Sequence, residues 1–206
     1  MDSDIKKGDT LTRKEAIIAA AITLFAQKGY AATTSEIAKA AGVAEGTIFH
    51  HFINKKGIIV QIFKNVLDAY ITGMHASAKG AATGFDALSR TIAFHFRFLD
   101  GHSREFKIIA RDCPYHLMDT DSAFRAEISK SFQKLNEFFK DCLDRGQKDG
   151  SIRPMPTKDM AFVLLGILNG IGRQRLFLPF ETVDAQPLVM DLLKYGICNA
   201  GTRDSL

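Results

Sequence analysis

Between Thr33 and Lys55 the chain reads TTSEIAKAAGVAEGTIFHHFINK, a stretch whose reactive groups are hydroxyls, a carboxylate, two imidazoles and an ammonium. No Ser or Cys of the chain lies in a recognisable nucleophile elbow, and His placement alone defines no triad, so catalysis is a poor use for them. Contact with a duplex polyanion suits them better. Thr47, His51 and Lys55 are of the types that donate to phosphate oxygens, and Lys55 sits by a helix start, where free amides favour an anion. Glu45 can accept from a cytosine amino group, although a Glu near a helix N-terminus serves equally as a partner for the helix dipole.

These groups need two short helices to present them. Thr33 and Glu36 form a capping box, in which the Thr hydroxyl accepts from the Glu amide and the Glu carboxylate accepts from the Thr amide, and this starts a helix. Ala38, Gly42 and Ile48 follow at spacings of four and six. They supply a small residue where two helices touch, a Gly free to take positive φ at the turn, and an apolar anchor on the second helix. That second helix is expected over Ala44 to His51. Ile37, Val43, Ile48 and Phe52 are read as the motif's own core. Ala44, Glu45 and Gly46 are small or reaching, as an N-terminus that approaches base edges requires.

The run GVAEGTIFHHFINKKGI closely resembles the recognition-helix signature of the TetR family of transcriptional regulators, and clear similarity extends from Arg13 to Phe63. The resemblance implies a regulator whose DNA contacts come from Thr33, Thr34, Ala44, Glu45, Gly46, Thr47, Phe49, His50, His51 and Lys55. His50 occupies the position where such regulators commonly carry an aromatic that touches bases or thymine methyls. Two residues depart from the pattern. Phe49 stands where the family usually has Tyr, which removes a phenolic phosphate contact. Ala44 stands where Ser is common, which removes a side-chain cap at a cost of about 1 kcal/mol.

Composition agrees with a globular chain: 46% apolar and 24% charged residues in 206. Three widely spaced cysteines, Cys113, Cys142 and Cys198, with no CxxC pair, suit free thiols in the cytoplasm rather than a disulfide framework. MDSDIKKGDTLTR lacks the apolar stretch of a signal peptide. Nine Lys/Arg against six Asp/Glu fall in residues 1–64, so most of the net charge of +4 lies in the DNA-binding third.

Helical periodicity recurs along the whole chain. Helices are expected over Thr12 to Lys28, from a start capped by Asn54 through Tyr70, over Phe85 to Leu99, Ser103 to Cys113, Ser122 to Gln147 and Asp159 to Phe177, and around Leu188 to Ile197. Gly57 replaces the Glu that would complete a capping box at Asn54, so that start is expected to be loose. HASAKGAATG, His75 to Gly84, reads as a connection. Met160 to Leu168 is too short to span a bilayer, which argues against a membrane protein. The fold class is therefore all-α: an arm over residues 1–11, a three-helix helix-turn-helix domain over 12–54, and a larger ligand-binding and dimerisation domain over 55–206.

Twelve of the sixteen Phe lie after residue 64, enough to enclose a mostly apolar effector pocket. His95, Arg97, Phe98, Asn136, Phe162, Asn169 and Arg173 are its candidate lining. A homodimer, which the resemblance implies, would use Gly166, Gly170, Leu188, Leu192 and Leu193, though such stripes also serve ordinary packing within a chain. Double-stranded DNA, a small-molecule effector and a second copy are the expected partners, with no enzymatic activity and no cofactor. Two other readings stay open. One is a helical small-molecule carrier with a purely structural helix-turn-helix. The other is a metal site at Asp112, Cys113, His116 and Asp119, for which one CxxH lacks a second ligand pair.

Overall fold

A computed structural model describes residues 11–112, 122–177 and 183–199 of the chain. The first helix, α1 (Arg13–Lys28), starts from a capping box absent from the sequence reading: the Thr12 hydroxyl accepts from the Glu15 amide at 3.3 Å, and Glu15 accepts from the Thr12 amide at 2.8 Å. Ile17, Ile18, Ala21 and Phe25 form its buried face. A single 3₁₀ turn, Gly29–Ala31, leads to α2 (Thr34–Ala41). There the expected box is present, with Thr33 accepting from the Glu36 amide at 3.2 Å and Glu36 accepting from the Thr33 amide at 2.9 Å. Lys28 reaches the same carboxylate at 2.6 Å. Foremost through Lys28, then through Thr33, the Glu36 carboxyl is held down to about 2.

Gly42 ends α2 in the left-handed region at φ 67°, and α3 (Glu45–Phe52) follows across that turn. Asn54 caps α4 (Lys55–Ala78) by accepting from the Gly57 amide at 2.9 Å. Gly57 does not loosen this start. A Cβ there would lie 2.0 Å from the Phe52 carbonyl oxygen, so the residue that breaks the capping-box pattern is the one that lets α3 and α4 meet. The connection expected over His75 to Gly84 is shorter than its small residues suggest, because His75 to Ala78 complete the last turn of α4.

Five more helices are described: α5 (Gly84–Gly101), α6 (Ser103–Asp112), α7 (Ser122–Asp149), α8 (Thr157–Phe177) and α9 (Ala185–Ile197). Among the described residues there is no strand, only an antiparallel bridge between Ile152 and Cys198. None of the described helices is long and apolar enough to cross a membrane. Cys142 and Cys198 are buried, and burial pushes the Cys142 thiol up to about 11. Cys113, His116 and Asp119 of the suggested metal site lie outside the described residues, within which no cluster of three or more His, Cys, Asp or Glu could hold an ion.

Apolar side chains collect in two cores. The first joins α1, α2 and α3 to Ile58, Ile59, Ile62 and Phe63 of α4, and takes in Ile108 of α6 with Phe124 and Ile128 of α7. The second holds Val66, Tyr70 and Met74 of α4 with the buried faces of α5, α7, α8 and α9. Each fully buried Ile or Phe contributes about 1.5–3 kcal/mol. One helix, α4, therefore enters both cores, with its first two turns in one and the remainder in the other.

Candidate nucleic-acid interface and ligand cavity

Folding of α2 against α3 leaves an exposed surface made by Ala44, Glu45, Gly46, Phe49, His50 and His51, with Thr47 half-buried beside them and Ile48 and Phe52 turned into the core. Ala44 makes no side-chain cap, and the Thr47 amide donates to its carbonyl at 2.9 Å, so of the first-turn amides of α3 those of Glu45 and Gly46 are the ones turned to an outside acceptor. The Thr34 hydroxyl donates to the Glu45 carboxylate at 2.6 Å, which stitches α2 to α3 and fixes where that carboxylate stands. Thr33 is occupied by its capping box.

Lys55, expected at a phosphate, has other partners. Its ammonium donates to the Tyr30 carbonyl at 2.5 Å and the Ala32 carbonyl at 3.1 Å, and lies 4.0 Å from the centre of the Tyr30 ring. It clamps the 3₁₀ turn to the start of α4. Arg13 was missed by the sequence reading. With Thr12 and Lys14 it borders a shallow cleft whose other wall is Gly46, Thr47, His50 and His51. Lys14 donates to Gln61 Oε1 at 3.0 Å, whereas Arg13 is an exposed guanidinium beside the recognition helix. A basic residue directly after a cap was the available signal.

In the second core a cavity of about 520 Å³ opens between α4, α5, α6, α7 and α8. Its floor is apolar, from Val66, Leu99, Leu135 and Leu168, except for one polar pair. Tyr70 Oη lies 2.8 Å from His95 Nδ1, and both side chains are buried. Burial pushes the Tyr70 phenol up and the His95 imidazole down to about 4, so both are neutral at physiological pH. His95 Nε2 has no accessible surface, and the backbone of Leu168 beside it favours a proton on the ring against the effect of burial. Ser129, Phe132, Asn169 and Arg173 are exposed and form the rim.

Of the expected pocket residues, His95, Asn169 and Arg173 line this cavity and four do not. Arg97 is exposed on the outer side of α5, since residues two apart on a helix face different ways. Phe98 packs behind the pair, 5.2 Å from the Tyr70 ring and stacked on His102 at 3.9 Å. Asn136 turns away, and its Oδ1 is buried with no partner. Phe162 is 74% exposed on the outer face of α8. The expected dimer residues also divide. Gly166, Gly170, Leu188 and Leu192 are exposed, but Leu193 is 3% exposed, because the α9 stripe turns it into the chain's own core.

A helix-turn-helix with a cationic flank, joined by a shared helix to a helical body with an apolar cavity, is the build of a DNA-binding regulator. Residues 17–62 match the family described as bacterial regulatory proteins, tetR family. Relatives in sequence include the fatty acid metabolism regulator protein of Bacillus subtilis, 41% identical over 86 residues, which cover 41% of this chain and only 44% of that protein. Another is the HTH-type transcriptional repressor KstR2 of Rhodococcus jostii, 27% identical over 157 residues and covering 74% of both. The crystal structure of FadR from Bacillus subtilis in complex with stearoyl-CoA superposes with a TM-score of 0.71 at 26% identity, over 86% of this chain and 96% of that one. Residues 17–62 thus match the DNA-binding segment of the tetR family, and the chain is built as a DNA-binding transcriptional regulator.

Proposed function

We propose that the protein is a dimeric repressor, held on a palindromic operator through α3 and released from it by a small, largely apolar effector in the cavity. Residues 12–54 carry the DNA contacts and residues 55–206 the effector site and the dimer contacts, with α4 common to both. The reading rests on one observation above all: Phe63 and Ile128 belong to the core of the helix-turn-helix and also line the cavity. A ligand that displaces either side chain shifts the packing beneath α1–α3, and cores packed to near-crystal density pass such shifts on. Coupling of this kind is reciprocal, so operator weakens effector binding by the same factor.

Dimerisation would use the apolar faces left uncovered on α8 and α9, where Phe162, Val163, Leu188, Leu192 and Tyr195 are exposed and Gly166 and Gly170 leave room for close approach. Two recognition helices so paired enter successive major grooves when held about 34–36 Å apart. The likeness to a regulator solved with stearoyl-CoA makes a long-chain acyl thioester the first effector class to test, with the chain among the floor residues and the anionic end near Arg173. Fluorescence anisotropy of labelled operator, titrated with stearoyl-CoA, tests the reading. Release at micromolar ligand is expected, and retention of full operator affinity with the cavity saturated would overturn the coupling.

A further inference from the structure

Lys55, Lys14 and Arg13 all flank the recognition helix, and the fold treats them differently. Lys55 is turned onto the carbonyls of Tyr30 and Ala32, and Lys14 donates to Gln61 at 3.0 Å. Arg13 is exposed and makes no hydrogen bond or ion pair among the described residues. It shares its cleft with Thr47 and His51, whose hydroxyl and imidazole also make no hydrogen bond among the described residues. The acids of this corner are held elsewhere. Glu15 accepts from the Thr12 amide and hydroxyl, each at 2.8 Å, and Glu45 accepts from Thr34 at 2.6 Å.

The dimensions of a duplex decide what such a cleft meets. The major groove is about 12 Å wide and an α-helix with its side chains about 10–12 Å across, so α3 fills the groove. A group beside α3 then meets the sugar-phosphate wall rather than base edges. A guanidinium fork matches two oxygens of one phosphate, and a hydroxyl and a ring N–H add donors to the same group.

We propose that the cleft between the start of α1 and α3 seats one phosphodiester of the operator, with Arg13 as its cation and Thr47 and His51 as further donors. Arg13 lies outside residues 17–62, so this anchor is carried beyond the segment that matches the tetR family. The Thr12–Glu15 box holds the backbone from which Arg13 projects, and so places the anchor by a local device. The seat adds affinity and fixes the register of α3, and it leaves discrimination between sequences to the side chains of α3.

The test is fluorescence anisotropy of the full chain on a pool of random duplexes and on the tightest duplex selected from that pool, each over a series of salt concentrations. Arg13→Gln should make the slope of log affinity against log salt shallower by about 0.9 per bound protomer on both DNAs, with the ratio of the two affinities unchanged. Arg13→Lys keeps the charge and should keep the slope. Arg90→Gln, which removes a positive charge from α5, should also leave the slope as in the parent chain. An unchanged slope in Arg13→Gln, or an equal change in Arg90→Gln, would overturn the inference. So would an altered affinity ratio in Arg13→Gln, which would put the guanidinium at base edges. Failure of the parent chain to bind any duplex would overturn the regulator reading itself.

Discussion

At the recognition end, polar groups are positioned by partners close in sequence: Thr33 by Glu36 three residues on, Thr34 by Glu45 eleven residues on. At the cavity, Tyr70 meets a His twenty-five residues away, and the lining comes from five helices. Local rules of capping and turn geometry build the first site, so its parts are fixed as soon as α2 and α3 form. Long-range packing builds the second, and a rotation of one helix by one residue would exchange its lining for its outer face.

Neighbouring leucines on α9 give the sharpest way to break this comparison. Leu193→Ala should cost about 2–5 kcal/mol of unfolding free energy, as core truncations do. Leu192→Asp should leave the stability of the monomer within about 0.5 kcal/mol and shift the protein from dimer to monomer. Urea melts and sedimentation velocity on both variants separate the two effects. Equal melts would place Leu192 and Leu193 in the same environment, contrary to their exposures of 59% and 3%.

His95 probes the cavity by pH. The folded imidazole titrates near 4 against an ordinary 6.5, so the unfolded chain binds the proton first as pH falls. Its contribution is fully present above pH 6.5 and is lost as pH falls toward 4, by about 3 kcal/mol in all. Urea melts of His95→Phe across that window should show a shallower fall in stability than those of the parent chain. Parallel curves would mean that the imidazole is solvated in the fold.

The recognition end offers a smaller contrast between His50 and Lys55. His50→Ala should lower the ratio of operator to random-duplex affinity by about tenfold, the effect of losing a base contact. Lys55→Ala should instead lower stability by about 1 kcal/mol through the lost bonds to Tyr30 and Ala32, with the salt slope of DNA binding unchanged. A salt slope shallower by about one would return Lys55 to a phosphate.

Sequence reading went far where spacing decides. The Thr33 box, the Gly42 turn and the run into Phe52 are local, and the helical layout follows from periodicity. It failed at Gly57, because the Phe52 carbonyl that forbids a side chain there is brought close only by folding. Periodicity marked α5 as apolar on most faces, but nothing in it distinguishes His95 at the cavity from Phe98 behind it or Arg97 outside. Likewise the stripe on α9 does not say which leucine faces its own chain. Lys55 was read by charge, and its carbonyl partners come from a turn more than twenty residues earlier.

Selection of bound sequences from a random duplex pool, at two salt concentrations, tests the central claim most directly. The account predicts enrichment of a palindrome with half-sites about one helical turn apart, persisting at the higher salt. Uniform, salt-sensitive binding with no enriched sequence, or no binding at all, would contradict it.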